Sequence, residues 1–406
     1  MDARTLARAL LGCVLPLAMA CSACSAAAGG GPAGTAPGTP PPAAASRQAA
    51  APGQAAPSCP QRVLSRMTMA QRVGQLFLVG IAGDPGREVA GAVAAYHFGA
   101  LLFATTSTAG AARVRQLTGA VQALATAGAT AGARFFVAAN QEGGEVQQLR
   151  GAGFATMPPA LAQGALPAAV LQRQAAAWGR QLSRAGVNLN LAPVMDVVPA
   201  GTASENQPIG VLHREFGDNP ATVAGHGVAF IRGMRQAGVA TTAKHFPGLG
   251  RVRGNTDFTS GVTDTVTGPG DPYLRGYRAA IGAGVPFVMV ALATYTRIDP
   301  RHLAVFSSRV MRVMLRDQMG FRGVIVSDDL GAAAAVAAVP PADRAIGFLA
   351  AGGDMITSAS LPAAAAMAAA VLARAAADPG FRSVVDAAAM HVLAAKQAYG
   401  LLPCGK

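Results

Sequence analysis

Eight short apolar runs, separated by longer helix-length segments, constrain this chain more than any other feature. The runs are Gln75 to Gly80, Gly99 to Ala104, Phe135 to Asn140, Val187 to Ala192, Val239 to Ala243, Phe287 to Leu292, Gly323 to Asp328 and Asp354 to Ser358. Most are unbroken rather than alternating, the pattern of parallel strands covered on both faces. The segments between them are rich in Ala, Leu, Arg and Gln, as in Ala111 to Ala127, Leu171 to Ala185 and Thr222 to Gln236. Eight strand–helix units in one stretch predict an α/β fold, a single (β/α)8 TIM barrel, with a doubly wound open sheet as the alternative. Either architecture places ligand sites at the carboxyl ends of strands. Several runs end on or just before polar residues there, among them Asn140, Lys244 and Asp328.

Composition narrows the function classes. The 406 residues carry a net charge of +13, and 13% are charged. Basic residues are scattered rather than clustered, and the chain has one Trp and five Tyr. This argues against nucleic-acid binding and leaves anionic lipid or an acidic polymer such as cell wall as basic-surface partners. No charge-free apolar run approaches the ~20 residues of a membrane span.

Residues 1–20 read as a signal peptide. Arg4 and Arg8 form a positive start, Leu10 to Ala20 an apolar core, and Ala18-Met19-Ala20 a small-residue cleavage pattern. Cys21 follows directly and resembles a bacterial lipobox cysteine, with Cys24 as a rival and an ordinary secretory signal as the plainer reading. Residues 21–58 are Ala-, Gly- and Pro-rich with a single charge, Arg47, and predict a disordered tether. The expected localisation is the exterior, as an envelope lipoprotein held through lipid on Cys21 or as a secreted protein. The barrel is assigned to residues 59–406. Cys59 and Cys404 sit at its two ends, so in an oxidising compartment they predict a disulfide. Closing a loop of about 345 residues would stabilise the fold by roughly 5 kcal/mol in the chain-entropy account.

Two segments carry the chemistry. One is Lys244-His245-Phe246-Pro247-Gly248-Leu249-Gly250, continuing to Asn255-Thr256-Asp257. The other is Val324 to Leu330, a strand that stops at Ser327-Asp328-Asp329. A carboxylate fixed at a barrel mouth, with a second on a neighbouring loop, supplies the nucleophile and the proton donor of glycoside cleavage. The plainer alternative makes Asp328 a helix cap and Lys244 its structural ion-pair partner. Gly248-Leu249-Gly250 with Gly254 misses the dinucleotide spacing, and Glu142-Gly143-Gly144 lacks a following lysine, so neither predicts a nucleotide. No metal and no cofactor are expected.

The same residues resemble the bacterial β-N-acetylglucosaminidases of glycoside hydrolase family 3 (the NagZ type), in particular their exported actinobacterial lipoprotein branch. Lys244 to Gly248 match the K-H-F-P-G signature, Ser327 to Leu330 the nucleophile strand, Asn140 to Gly144 the D-x-E-G-G run and Ala192 to Asp196 the A-P-V-x-D run. Ile209-Gly210 with Arg214 and Phe216 resembles the substrate-arginine segment. The resemblance implies a retaining exo-β-N-acetylglucosaminidase without cofactor, acting on carbohydrate: terminal GlcNAc of GlcNAc-MurNAc fragments; a monomer is expected. It makes Asp328 the nucleophile and Asn140, Arg214, Lys244 and His245 substrate-binding residues.

Three departures follow. The family's loop Asp-Ser-His reads Asn255-Thr256-Asp257, so Asp257 replaces the histidine as acid/base candidate, with a structural role for it, or transfer of the role to Asp264, as alternatives. Asn140 replaces the family's aspartate, and the arginine segment is about two residues longer. Glu142 reads as a fold-supporting acid near the pocket, Asp196 as a substrate contact or a loop support, and Asp329 as a helix start. The competing functions are a GlcNAc phosphorylase, which an acidic Asp257 disfavours by repelling phosphate, and an inactive barrel that binds muropeptides.

Overall fold

A computed structural model of the chain describes residues 56–81 and 86–404. The signal peptide, Cys21 with its rival Cys24, and all but the last residues of the tether lie outside them.

All eight apolar runs become strands: β1 (Phe77–Ile81), β2 (Ala100–Phe103), β3 (Phe136–Ala139), β4 (Leu189–Asn190), β5 (Ala240–Phe246), β6 (Phe287–Val290), β7 (Val324–Asp329) and β8 (Met355–Ser358). Each pairs in parallel with its sequence neighbours, and β1 also pairs with β8, with Phe77 opposite Ile356. That last pairing closes the barrel and rules out the open sheet. Helices cover the outside, so the strand residues are buried on both faces, as their unbroken apolar character requires.

The covering helices follow from local sequence. Ala168–Arg184 buries Leu171, Ala175, Trp178 and Leu182, a spacing that makes one apolar stripe. Pro220–Gln236 starts on Asn219, whose side chain accepts from Thr222 N, with Pro220 in the first helical turn. Inside the barrel, Phe136 and Phe287 meet edge-on with ring centroids 5.2 Å apart. Truncating either to Ala would cost about 3–5 kcal/mol through lost burial and a residual cavity.

Cys59 and Cys404 form the expected disulfide, with Cα atoms 6.0 Å apart. It borders a groove with Gly238, Gly284 and Pro286. Those residues immediately precede β5 and β6, so the disulfide lies on the barrel face where the strands begin. The polar strand ends lie at the opposite face.

Two irregularities shape that opposite face. The β5–β6 register shifts between Ala243 and Phe246, and the β7–β8 register shifts between Val326 and Asp329. In a regular strand successive side chains point to opposite faces. A bulge re-aims them. Lys244 and His245 accordingly line one cavity together, as do Asp328 and Asp329. β5 thus runs three residues past the apolar stretch that predicted it.

Candidate active site

The cavity at the barrel mouth has a volume of about 350 Å³ and collects residues from every side of it. Asn140, Arg214, Lys244, His245, Asp257 and Asp328 all line it. These six are the catalytic and substrate-binding candidates read from the sequence, brought together from four strands or the loops that follow them.

Glu142 organises the cationic side without itself lining the cavity. Its carboxylate accepts two 2.8 Å hydrogen bonds from Arg214, from Nε and Nη2, and pairs with Lys244 Nζ at 2.7 Å. Burial alone would raise its pKa, but Arg214 and Lys244 outweigh that and bring it down to about 2. In return the carboxylate holds the guanidinium pKa above its ordinary value. Glu142 sits on the short hairpin of Gln141–Gly143 and Val146–Gln147 that follows β3. The glycine after it has φ 113°, and a Cβ there would lie 2.1 Å from Pro158 O, so only glycine fits. Lys244 Nζ also donates to Asn140 Oδ1 at 2.8 Å. The amide at 140 therefore accepts from the lysine without adding a charge.

Asp196 is buried and supports the next residue along. Its carboxylate accepts from His245 Nδ1 at 2.8 Å, from the backbone N–H of His245 and Leu249, and from Tyr277 Oη at 2.8 Å. Burial opposes its ionisation, yet His245 and these donors hold its pKa below the ordinary value. It thus fixes the orientation of His245 and the start of the β5 loop. Of the two sequence readings for Asp196, loop support is the one its contacts match.

The β5 loop carries Asp257. Asn255 Oδ1 accepts from Asp257 N at 3.0 Å, so the residue at the family's aspartate position shapes a tight turn. Carbonyls of Thr256 and Asp257 accept from Ala335 N and Ala334 N, tying this loop to the one after β7. These two long-range bonds anchor the neighbouring loop that the sequence pointed to onto the segment that follows β7. Asp257 is an exposed residue overall, but its carboxyl is pushed up in pKa, first by desolvation and then by the negative charge of Asp328. Asp264, the alternative acid, is not in the cavity. It is buried and its carboxylate accepts from Val266 N, Thr267 N and Thr267 Oγ1, a turn-holding role.

Asp328 stands at the tip of β7, half-buried, with its Oδ1 accepting from Asp329 N at 2.9 Å. Asp329 Oδ1 accepts from Gly331 N, Ala332 N and Ala359 N, so it holds the turn after β7 and ties it to the end of β8. Asp329 therefore starts no helix, the next helical turn (Ala334–Val336) being preceded by Ala333, and Asp328 caps none either; it lines the cavity.

Sequence reasoning missed Asn206. Its amide donates to Leu249 O and Val252 O, and its carbonyl accepts from Ile209 N and Gly210 N. One buried side chain thereby joins the arginine segment to the loop after β5. A lone Asn in a loop carries no pattern that would have revealed it. Among the described residues no group of three His, Cys, Asp or Glu side chains could hold a metal ion.

Residues 68–394 match the glycosyl hydrolase family 3 N terminal domain. The chain belongs to glycosyl hydrolase family 3. Within the family it is similar to a β-N-acetylhexosaminidase from Beutenbergia cavernae DSM 12333, whose crystal structure superposes with a TM-score of 0.81. Identity there is 49%, over 82% of this chain and 99% of that one. It is also similar to M tuberculosis LpqI, with 26% identity, a TM-score of 0.71, and coverage of 84% of this chain and 97% of that one. The β-hexosaminidase of Stenotrophomonas maltophilia (strain K279a) is 34% identical over 232 residues. That match covers 54% of this chain and 65% of the relative, just under two thirds of its length.

Proposed function

We propose that this family 3 member is an exported, exo-acting β-N-acetylglucosaminidase that hydrolyses terminal β-linked GlcNAc of peptidoglycan fragments with retention. One observation carries the reading. Asp328 and Asp257 share a single sugar-sized cavity, and desolvation of its carboxyl and the charge of the first raise the pKa of the second. The names of its relatives, a β-N-acetylhexosaminidase and β-hexosaminidases, support the substrate class.

In the first step an Asp328 oxygen bonds to the anomeric carbon as the glycosidic C–O bond breaks. Asp257 gives its proton to the departing oxygen. In the second step Asp257 takes a proton from water, the water oxygen bonds to the anomeric carbon, and the bond to Asp328 breaks. Arg214, Lys244, His245 and Asn140 present donors to the sugar's hydroxyls, with Glu142 and Asp196 fixing their positions. An acidic Asp257 favours water over phosphate as acceptor, since an ionised carboxylate repels a phosphate anion.

The test is turnover of an aryl N-acetyl-β-glucosaminide by the domain, with and without added phosphate. Hydrolysis independent of phosphate is expected, and Asp328→Ala should lower it by several orders of magnitude. Asp257→Ala should suffer most with poor leaving groups that need a proton. Failure on every N-acetylglucosaminide would instead favour a muropeptide-binding barrel.

The envelope location, the lipid on Cys21 and the monomeric state belong to the same proposal. Mass spectrometry of the mature N-terminus distinguishes lipid on Cys21 from lipid on Cys24 and from an unmodified secreted form.

A further inference from the structure

The acid/base loop also presents an aromatic ring to the mouth of the cavity. Phe258 follows Asp257 directly, lines the cavity, and is 83% exposed. Among the described residues it is by far the most exposed of the large hydrophobic side chains, the next being Val266 at 47%. An exposed ring at the rim of a cavity offers an apolar face to whatever the cavity binds. The backbone that carries it is held in place. Phe258 N donates to Asn255 O at 3.0 Å, and the two preceding residues are held through Ala334 and Ala335. Pro208 and Leu212, from the arginine segment that Asn206 ties to this loop, line the same cavity with it.

Position fixes what this surface meets. An acid/base must reach the glycosidic oxygen, so the leaving group emerges on the side of the cavity where Asp257 stands. The residue next to Asp257 then lies on the leaving-group side, while Arg214, Lys244 and His245 line the cavity that takes the GlcNAc ring. We infer that Phe258, with Pro208 and Leu212, forms an aglycone subsite that stacks on the apolar face of the sugar ring following the scissile bond. The inference rests on the roles proposed above for Asp257 and Asp328.

The test compares two GlcNAc donors that differ only in their leaving groups: the β-1,4-linked disaccharide of GlcNAc, and GlcNAc β-fluoride, which has nothing to stack. Phe258→Ala should lower kcat/KM for the disaccharide about tenfold and leave the fluoride within about twofold of wild type. Phe258→Tyr should restore the disaccharide value, since the ring face returns. Unchanged disaccharide turnover in Phe258→Ala, or equal losses on both donors, would overturn the subsite. A wild-type protein inert toward both donors would refute the glycosidase reading itself, and the subsite with it. Phe258 touches solvent over most of its surface, so its removal should leave the melting temperature unaltered, which checks that the variant is folded.

Discussion

Glu142 grips Arg214 through two parallel hydrogen bonds of 2.8 Å and simultaneously pairs with Lys244. One buried anion thus serves two cations that line the cavity. Replacing it with Gln leaves those cations buried without their paired counter-charge, which should destabilise the fold by about 3–5 kcal/mol. Activity should fall mainly through a raised KM, because Arg214 and Lys244 lose their positions. The pH dependence follows from the depressed pKa. Glu142 contributes stability in full above its ordinary value of 4.5, and loses it as pH falls toward about 2. Denaturant titrations between pH 5 and pH 2 should therefore show a steeper loss in the wild type than in Glu142→Gln.

Asp257 is raised in pKa by desolvation and by Asp328. Removing the Asp328 charge with Asn should then lower the Asp257 pKa, read directly by carboxyl-carbon NMR titration. The alkaline limb of the wild-type pH profile of kcat/KM should track the same ionisation, since the acid form is the proton donor. An Asp257 pKa that does not change in Asp328→Asn would show that the two carboxyls do not sense each other.

Lys396 lies fully buried on the C-terminal helix, donating to Gln75 Oε1 and to Gly99 O at 2.9 Å, and desolvation pulls its pKa down to about 7. Between about 7 and its ordinary 10.5 the unfolded chain holds a proton that the folded one has released. Stability attributable to this group therefore rises with pH across that window and is lowest below it. Lys396→Met should flatten the rise, by an amount on the order of 4 kcal/mol between the two ends. The measurement is the difference in unfolding free energy between wild type and variant at pH 6 and pH 10.

The Cys59–Cys404 disulfide spans 345 residues and sits on the barrel face away from the carboxylates of Asp257 and Asp328. The double variant Cys59→Ser, Cys404→Ser should lose up to roughly 5 kcal/mol of stability. Its kcat at a temperature well below melting should match that of wild type. A fall in kcat without a fall in melting temperature would show that the crosslink acts on the site.

Much of this was legible in the chain. The strands could be read because a parallel barrel buries both faces of each strand, which leaves unbroken apolar runs from Phe77 to Ser358. Lys244, His245 and Asp328 stood out because each follows such a run directly. What escaped reading depends on contacts distant in sequence. Lys244 and His245 sharing one cavity requires a register shift against β6, which no strand pattern records. Glu142 could be placed near the pocket, but its hold on both Arg214 and Lys244 required the hairpin after β3, the loop after β4 and the end of β5 to converge. Asn206 joins the loop after β4 to the loop after β5 by four bonds. Asp264 stood as the alternative to Asp257 in the chain. Only its three local hydrogen bonds show that its carboxylate is occupied.

The most direct measurement is the site of covalent sugar attachment. A slowly turned-over GlcNAc donor with a fluorine on the ring and an activated leaving group should arrest the enzyme after its first step. Digestion and mass spectrometry should then find one sugar on the peptide containing Asp328, and none in Asp328→Ala. Turnover of ordinary donors with no adduct on that peptide, or an adduct on another residue, would contradict Asp328 as the nucleophile.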